Sequence, residues 1–411
     1  MGGAPAFSQG VDSNDVFAPA YLARLLETTD VLPNNEVRAL WVVRDAITTP
    51  ESINRLVDFA VQTRFQILFV QVRGRGDAYY ESALDPPASA LTAPLADFDP
   101  LRYLIELAHR EGIEVHAWLN VYFAWSNPKE APPPSHLIAR HPDWILTDAR
   151  GVRMDRIPAS RWKSERIEGY FLSPGVPALR THMAAVVREL VSRYDVDGIH
   201  LDYIRYPNRE YSYDPASRSR FMLKWGIDPV DLNGNRVALE KMVGAPALAL
   251  MDSIYASDRV QQVDSMVMAI HAACPDRVAL SAAVIADPIA ARGDKGQDWA
   301  RWVHKGWVDF VVPMAYSMPP LEIEYRAGIY KRTVGANHVL IGLGVYDGRD
   351  EYLAESVSLL RGVGLAGYAI FSYNALAEMI EGAALIEDAV LPVDSTNTDE
   401  DSDSVGVDED E

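Results

Sequence analysis

A chain of 411 residues with 48% hydrophobic and 23% charged residues is long enough to bury a large core and reads as globular. Its formal net charge of −20 argues against a partner gripped by its phosphate backbone, because that interaction needs a basic face. The single Cys274 excludes an internal disulfide and a multi-cysteine metal site, and no apolar run reaches the ~18 residues that a membrane-spanning helix needs.

Residues 1–36 precede the first strand signal. The first Lys or Arg is Arg24 and no apolar stretch comes before it, so the expectation is either a cytoplasmic protein as written or one whose export signal is missing from this version of the sequence. Short apolar runs then recur. They are VRALWVVRDAI (37–47), QILFVQVRGRG (66–76), IEVHAWLNVYF (113–123), GIHLDYIRY (198–206), VALSAAVIA (278–286), FVVPMAYSM (310–318), HVLIGLGVY (338–346) and GYAIFSYNA (367–375).

Between them lie stretches such as ESINRLVDFAVQT and DPLRYLIELAHREG, with apolar residues spaced by three and four, which predicts helices packed on one face. TPES and FDP supply helix starts, and Gly112 a stop. Strand and helix alternate eight times, which predicts a single α/β (β/α)8 barrel over 37–392. Long excursions follow the third and fourth strands, over 124–176 and 207–256, at the end where barrel enzymes keep their sites.

Residues 393–411 form an acidic tail. From Asp394 onward it holds nine acids and no base, and the rest of the chain then balances at −11, with 49 acids against 38 bases. That composition predicts a solvated, disordered segment. Cys274, in HAACPDR at a predicted helix end, reads as an inert buried thiol.

Strand parity locates a site. Successive side chains on a strand face opposite ways, so in the fourth run Ile199 and Leu201 share one face while His200 and Asp202 share the other. In the third run Val115, Ala117, Leu119 and Val121 face the helices, which turns His116, Trp118, Asn120 and Tyr122 into the barrel. Gln71 and Arg73 oppose Leu68, Val70 and Val72, and Met314 and Tyr316 share a face.

Buried polar groups are costly and barrel interiors are usually aliphatic. Their convergence near the carboxyl end of several strands therefore predicts a cavity with Asp202 at its mouth. Arg73, Trp118, Asn120, Tyr122, Tyr203, Arg205 and Tyr316 are the expected substrate-binding residues. Flat rings beside amide, guanidinium and carboxyl groups suit a sugar, which offers apolar ring faces and many hydroxyls. His116 and His200 facing each other across adjacent strands would suit a metal-dependent hydrolase. No H-x-H pair or cysteine set supports one, and no metal or cofactor is expected.

The ordered motifs RALWV, VRGRGDAYYES, FDPLRYLIELAHREGIEVHAWLNVY, HPDWILTDARG, YFLSPGVPALR and VDGIHLDYIRYP resemble glycoside-hydrolase-like family 10 over residues 37 to about 375. The resemblance implies a bacterial barrel glycosidase, often exported, acting on a polysaccharide such as peptidoglycan strands stripped of peptides. A weaker similarity joins DGIHLDY, PMAYS and GYAIFS to family-18 chitinases. There His200 stands for an Asp, Ile204 for the acidic Glu, Ser317 for an Asp and Phe371 for a Trp, so that mechanism does not carry over intact.

Glycoside cleavage needs a proton donor and stabilisation of an oxocarbenium-like centre. Asp202 is the expected essential carboxyl, with His200 tuning it or moving protons itself. Asp287 leads the candidates for a second carboxylate, followed by Asp77, Glu81 and Asp347, unless a 2-acetamido group of the substrate held by Tyr316 takes that part. A glycan-binding barrel without turnover is the alternative, motivated by Ile204.

Overall fold

The computed structural model describes residues 21–28, 36–91, 97–345 and 352–382. Asp347 and the acidic tail lie outside them. All eight apolar runs form parallel strands: β1 (Val37–Val42), β2 (Ile67–Arg73), β3 (Glu114–Asn120), β6 (Gly198–Asp202), β7 (Ala279–Ile285), β8 (Phe310–Met314), β9 (Leu340–Gly344) and β10 (Gly367–Phe371). They close in the order β1-β2-β3-β6-β7-β8-β9-β10 and back to β1. Two short strands, β4 (Phe123–Trp125) and β5 (Tyr170–Phe171), pair antiparallel within the first excursion.

The crossovers start where local chemistry dictates. Thr49 and Ser52 form a reciprocal capping box ahead of the helix Pro50–Gln62, and the Asp99 side chain accepts from the Arg102 N–H at 3.2 Å ahead of Pro100–Arg110. Each such cap is worth about 1 kcal/mol. Gly112 follows the second helix at φ 69°, a left-handed stop that glycine adopts at no steric cost.

Parity sorts the core into two shells. Leu68, Val70, Val72, Val115, Ala117, Leu119, Ile199 and Leu201 point outward into one continuous layer beneath the helices. Trp41, Phe69, Trp118, Phe310 and Val312 point inward and fill the barrel together with Val37, Ala39 and Ala369. The helix Tyr21–Thr28 closes the floor, where Leu22 joins the interior cluster and Tyr21 stacks on Phe310. The second excursion builds its own small core, Tyr213, Phe221, Leu232, Leu248 and Tyr255, from the helices Pro215–Trp225, Pro229–Gly234 and the start of Ala245–His271.

Candidate active site

Register sets the depth of each polar group. His116 lies opposite Gly198, Trp118 opposite His200, and Asn120 opposite Asp202. A Cβ on Gly198 would stand 2.3 Å from His116 Nδ1, so only glycine lets that ring lie flat against the strand. His116 and His200 do not lie opposite each other, the arrangement a metal-dependent hydrolase would need, because the two rings occupy different layers. Among the described residues no group of three His, Cys, Asp or Glu side chains is placed to hold a metal ion.

His116 belongs to the floor, where its Nε2 lies 3.1 Å from the Tyr21 hydroxyl and 3.2 Å from Glu114 Oε2. His200 belongs to the middle layer and is fully buried. The Trp41 indole N–H donates to its Nε2 at 3.0 Å, and its Nδ1 lies 2.9 Å from Ser281 Oγ. An indole only donates, so Nε2 must be the unprotonated nitrogen and Nδ1 must carry the proton. The Phe69 ring stacks 4.0 Å away, and burial then holds the imidazole neutral with its pKa well below the ordinary value. Both ring nitrogens are engaged, an arrangement that favours a supporting part beneath Asp202 over the proton transfer that was the other expectation for His200.

Asp202 ends β6 one layer higher, 8% exposed and facing inward. Burial pushes its carboxyl up to about 6, and Glu168 adds to the rise. Arg205, the Tyr203 backbone N–H and the Trp118 indole hold it from going further. Tyr203 N donates to Asp202 Oδ1 at 2.6 Å, a bond made available because Tyr203 adopts φ 49°. A bulky residue in that left-handed region is uncommon and concentrates where function constrains the backbone.

The same indole N–H of Trp118 donates to Asn120 Oδ1 at 2.9 Å, and Asn120 Nδ2 donates to the Gly74 carbonyl at 2.8 Å. The two strands are thereby tied at the carboxyl end. Arg205 lies 4.7 Å over the Tyr203 ring and 5.9 Å over Phe171, with Nη2 3.4 Å from Glu168 Oε2. Its Nε and Nη1 are buried without a protein partner. Tyr316 stacks on Phe371 at 5.1 Å and meets Trp41 edge-on, so it lines the same interior.

Three expected site residues stand elsewhere. Asp287 caps the helix Pro288–Lys295, accepting from the N–H groups of Ile289 and Ala290 at 2.9 and 3.0 Å. Those bonds, with Arg326 at 3.5 Å, keep its pKa below the ordinary value, which suits a cap and not a proton donor. Tyr122 is sealed in the outer shell and not in the barrel, since β3 ends at Asn120 and parity does not extend past a strand's end.

Arg73 donates to Asp85 at 2.6 Å and to the Asn120 carbonyl at 2.6 Å, fully buried, and Asp85 is held down at about 2. It is a strut behind the site. Among the lesser candidates, Asp77 accepts from the Arg75 N–H and Glu81 pairs with Arg193 on the surface. Cys274 has its thiol pushed up to about 12 by burial, in keeping with an unreactive role.

Sequence reading missed Glu168. It sits on a loop with no periodicity to mark it, two residues before β5. Gly169 lets this loop approach β4 closely, for a Cβ there would lie 2.3 Å from the Trp125 carbonyl oxygen. Only that packing brings Glu168 to Arg205.

The fold and the placement of polar groups at its carboxyl end define a (β/α)8 barrel built like a barrel enzyme. The chain belongs to the Glycosyl hydrolase-like 10 family, whose model matches residues 31–334. It is 26% identical over 276 residues to the glycosyl hydrolase DigH of Escherichia coli O6:H1, covering 61% of this chain and 54% of that protein. With the glycosyl hydrolase YngK of Bacillus subtilis it shares 27% over 191 residues, 42% of this chain and 34% of that one. The chain thus spans about half or less of the length of these relatives.

Among solved structures, the PgaB (BpsB) glycoside hydrolase domain from Bordetella bronchiseptica superposes with a TM-score of 0.64 at 16% identity. That match covers 87% of this chain and 99% of that one. The α-L-fucosidase isoenzyme 2 from Paenibacillus thiaminolyticus gives 0.54 at 18% identity, covering 87% and 48%. These two likenesses concern the fold.

Proposed function

We propose that this barrel hydrolyses O-glycosidic bonds of a bacterial polysaccharide, with peptide-free peptidoglycan strands as the first substrate to test. The observation that carries the proposal is Asp202: an enclosed carboxyl at the carboxyl end of a barrel strand, pushed up to about 6. A group of that pKa holds a proton through mildly acidic pH and can release it to a departing glycosidic oxygen.

In this reading Asp202 is the general acid. The Tyr203 N–H fixes Asp202 Oδ1, and the Trp118 indole, tied to Asn120, helps to limit the rise of its pKa. Arg205 offers its two unpartnered nitrogens, Nε and Nη1, to sugar hydroxyls, while Tyr203 and Tyr316 supply aromatic faces. Family membership supports a carbohydrate as the ligand.

The test is digestion of a panel of bacterial glycans by the purified protein, with new ends identified by mass spectrometry, beside Asp202→Asn. Cleavage by the parent and none by the variant supports the proposal. Binding without cleavage by the parent would instead make this a glycan-binding barrel. Ile204, fully buried where the chitinase-like motif has its acid, gives that reading its basis.

A further inference from the structure

Asp202 supplies one proton, and a hydrolysis also needs a group that takes one from water. The described carboxylates suggested by the sequence are committed elsewhere: Asp287 to a helix cap, Asp77 to a turn, Glu81 to Arg193. Glu168 is differently placed. Its Oε2 is 3.4 Å from Arg205 Nη2, and the Tyr203 hydroxyl and the Lys295 ammonium face the same carboxylate. The Arg205 guanidinium also acts on Asp202, so one cation, held over the Tyr203 ring, is shared by both acids.

Their surroundings differ in the way a catalytic pair requires. The Asp202 carboxyl is enclosed by Trp118, Asn120 and the Tyr203 backbone, whereas the Glu168 side chain is 50% exposed. A donor works where water is excluded. A base that activates water works where water can reach it.

We infer that Glu168 is the second catalytic carboxylate, the base that draws a proton from the attacking water; this rests on the glycosidase reading above. As water's oxygen bonds to the anomeric carbon, one of its protons passes to Glu168. The anomeric C–O bond breaks with its electron pair going to the leaving oxygen, which takes the proton of Asp202. Glu168 ends as the acid and Asp202 as the carboxylate, and exchange with solvent restores both. A single displacement of this kind inverts the anomeric centre.

The experiment uses the full chain on the glycan panel, peptide-free peptidoglycan strands first, with Glu168→Gln and Glu168→Ala beside Asp202→Asn. For Glu168→Gln we expect a loss of roughly 10²–10⁴-fold in kcat with little change in KM or melting temperature. Added azide should restore turnover to Glu168→Ala and yield a glycosyl azide, and the parent's first product should show inverted configuration by NMR.

A parent-like kcat for Glu168→Gln, a loss that azide does not relieve, or a retained product would each overturn the assignment. In those cases Glu168 merely positions Arg205 or another mechanism operates. A parent inert on every glycan, or an Asp202→Asn variant as active as the parent, would instead remove the glycosidase reading, and this inference with it.

Discussion

The two ends of one barrel each place a carboxyl beside buried aromatic and polar groups, and they treat it oppositely. At the floor, burial pushes Glu114 up, but bonds from His116 and Tyr21 outweigh it and the pKa ends below the ordinary value. At the mouth, burial of Asp202 outweighs Arg205, the Tyr203 N–H and Trp118, and the pKa ends at about 6. Both ends draw on β3, which carries Glu114 and His116 below and Trp118 and Asn120 above. A carboxyl whose partners neutralise it belongs to the architecture; one left with its desolvation uncompensated is available for chemistry.

The largest expected effect is at the mouth. Asp202→Asn keeps the shape and removes the transferable proton, so kcat on a confirmed glycan should fall roughly 10²–10⁴-fold while the fold is retained. Near-parent turnover would erase the distinction between the two ends. Behind the site, Arg73→Met should cost about 3–5 kcal/mol in urea unfolding, because it leaves the fully buried Asp85 with only His182, at 3.2 Å, to compensate its charge.

The native state holds the Asp202 proton more tightly than the unfolded chain, whose ordinary value is 3.8. The stabilisation from that proton is complete below about 3.8, fades as pH rises to about 6, and is absent above. Relative to the parent, Asp202→Asn should therefore gain up to about 3 kcal/mol between those limits, a stability bought with activity. Denaturation of both proteins across pH 3.5–7 would show no divergence if Asp202 titrates normally. Activity has the matching limb: as a general acid, Asp202 should lose effect as pH rises above about 6, visible in kcat/KM.

The smallest effect is at the floor. Tyr21→Phe removes the hydroxyl that meets Glu114 and His116, and should lower stability by about 1–2 kcal/mol while leaving kcat unchanged. A loss of turnover there would show that floor and mouth are coupled.

Much of this was legible in the residues. Eight runs gave eight barrel strands, and the two-residue period put Trp118 in the interior cluster with Asn120 and Asp202 paired on the same face. That reading succeeds because a strand's alternation is local and the helices demand an apolar outer face. It failed for Tyr122, two residues past the end of β3, where the period had stopped. It also failed for Asp287, which has the right position after a strand but sits one residue before Pro288, where a carboxylate serves the helix N–H groups.

What the sequence determined by itself was therefore the barrel and the inward face that carries Asp202. The tertiary structure decided the states of those groups. His200 became a neutral, doubly bonded support because Trp41 and Ser281 come from strands 159 and 81 residues away in the chain. Glu168 reached Arg205 only through the close packing of β4 against β5. Hydrogen-bond partners and desolvation are properties of surroundings assembled from distant segments, and no local period encodes them.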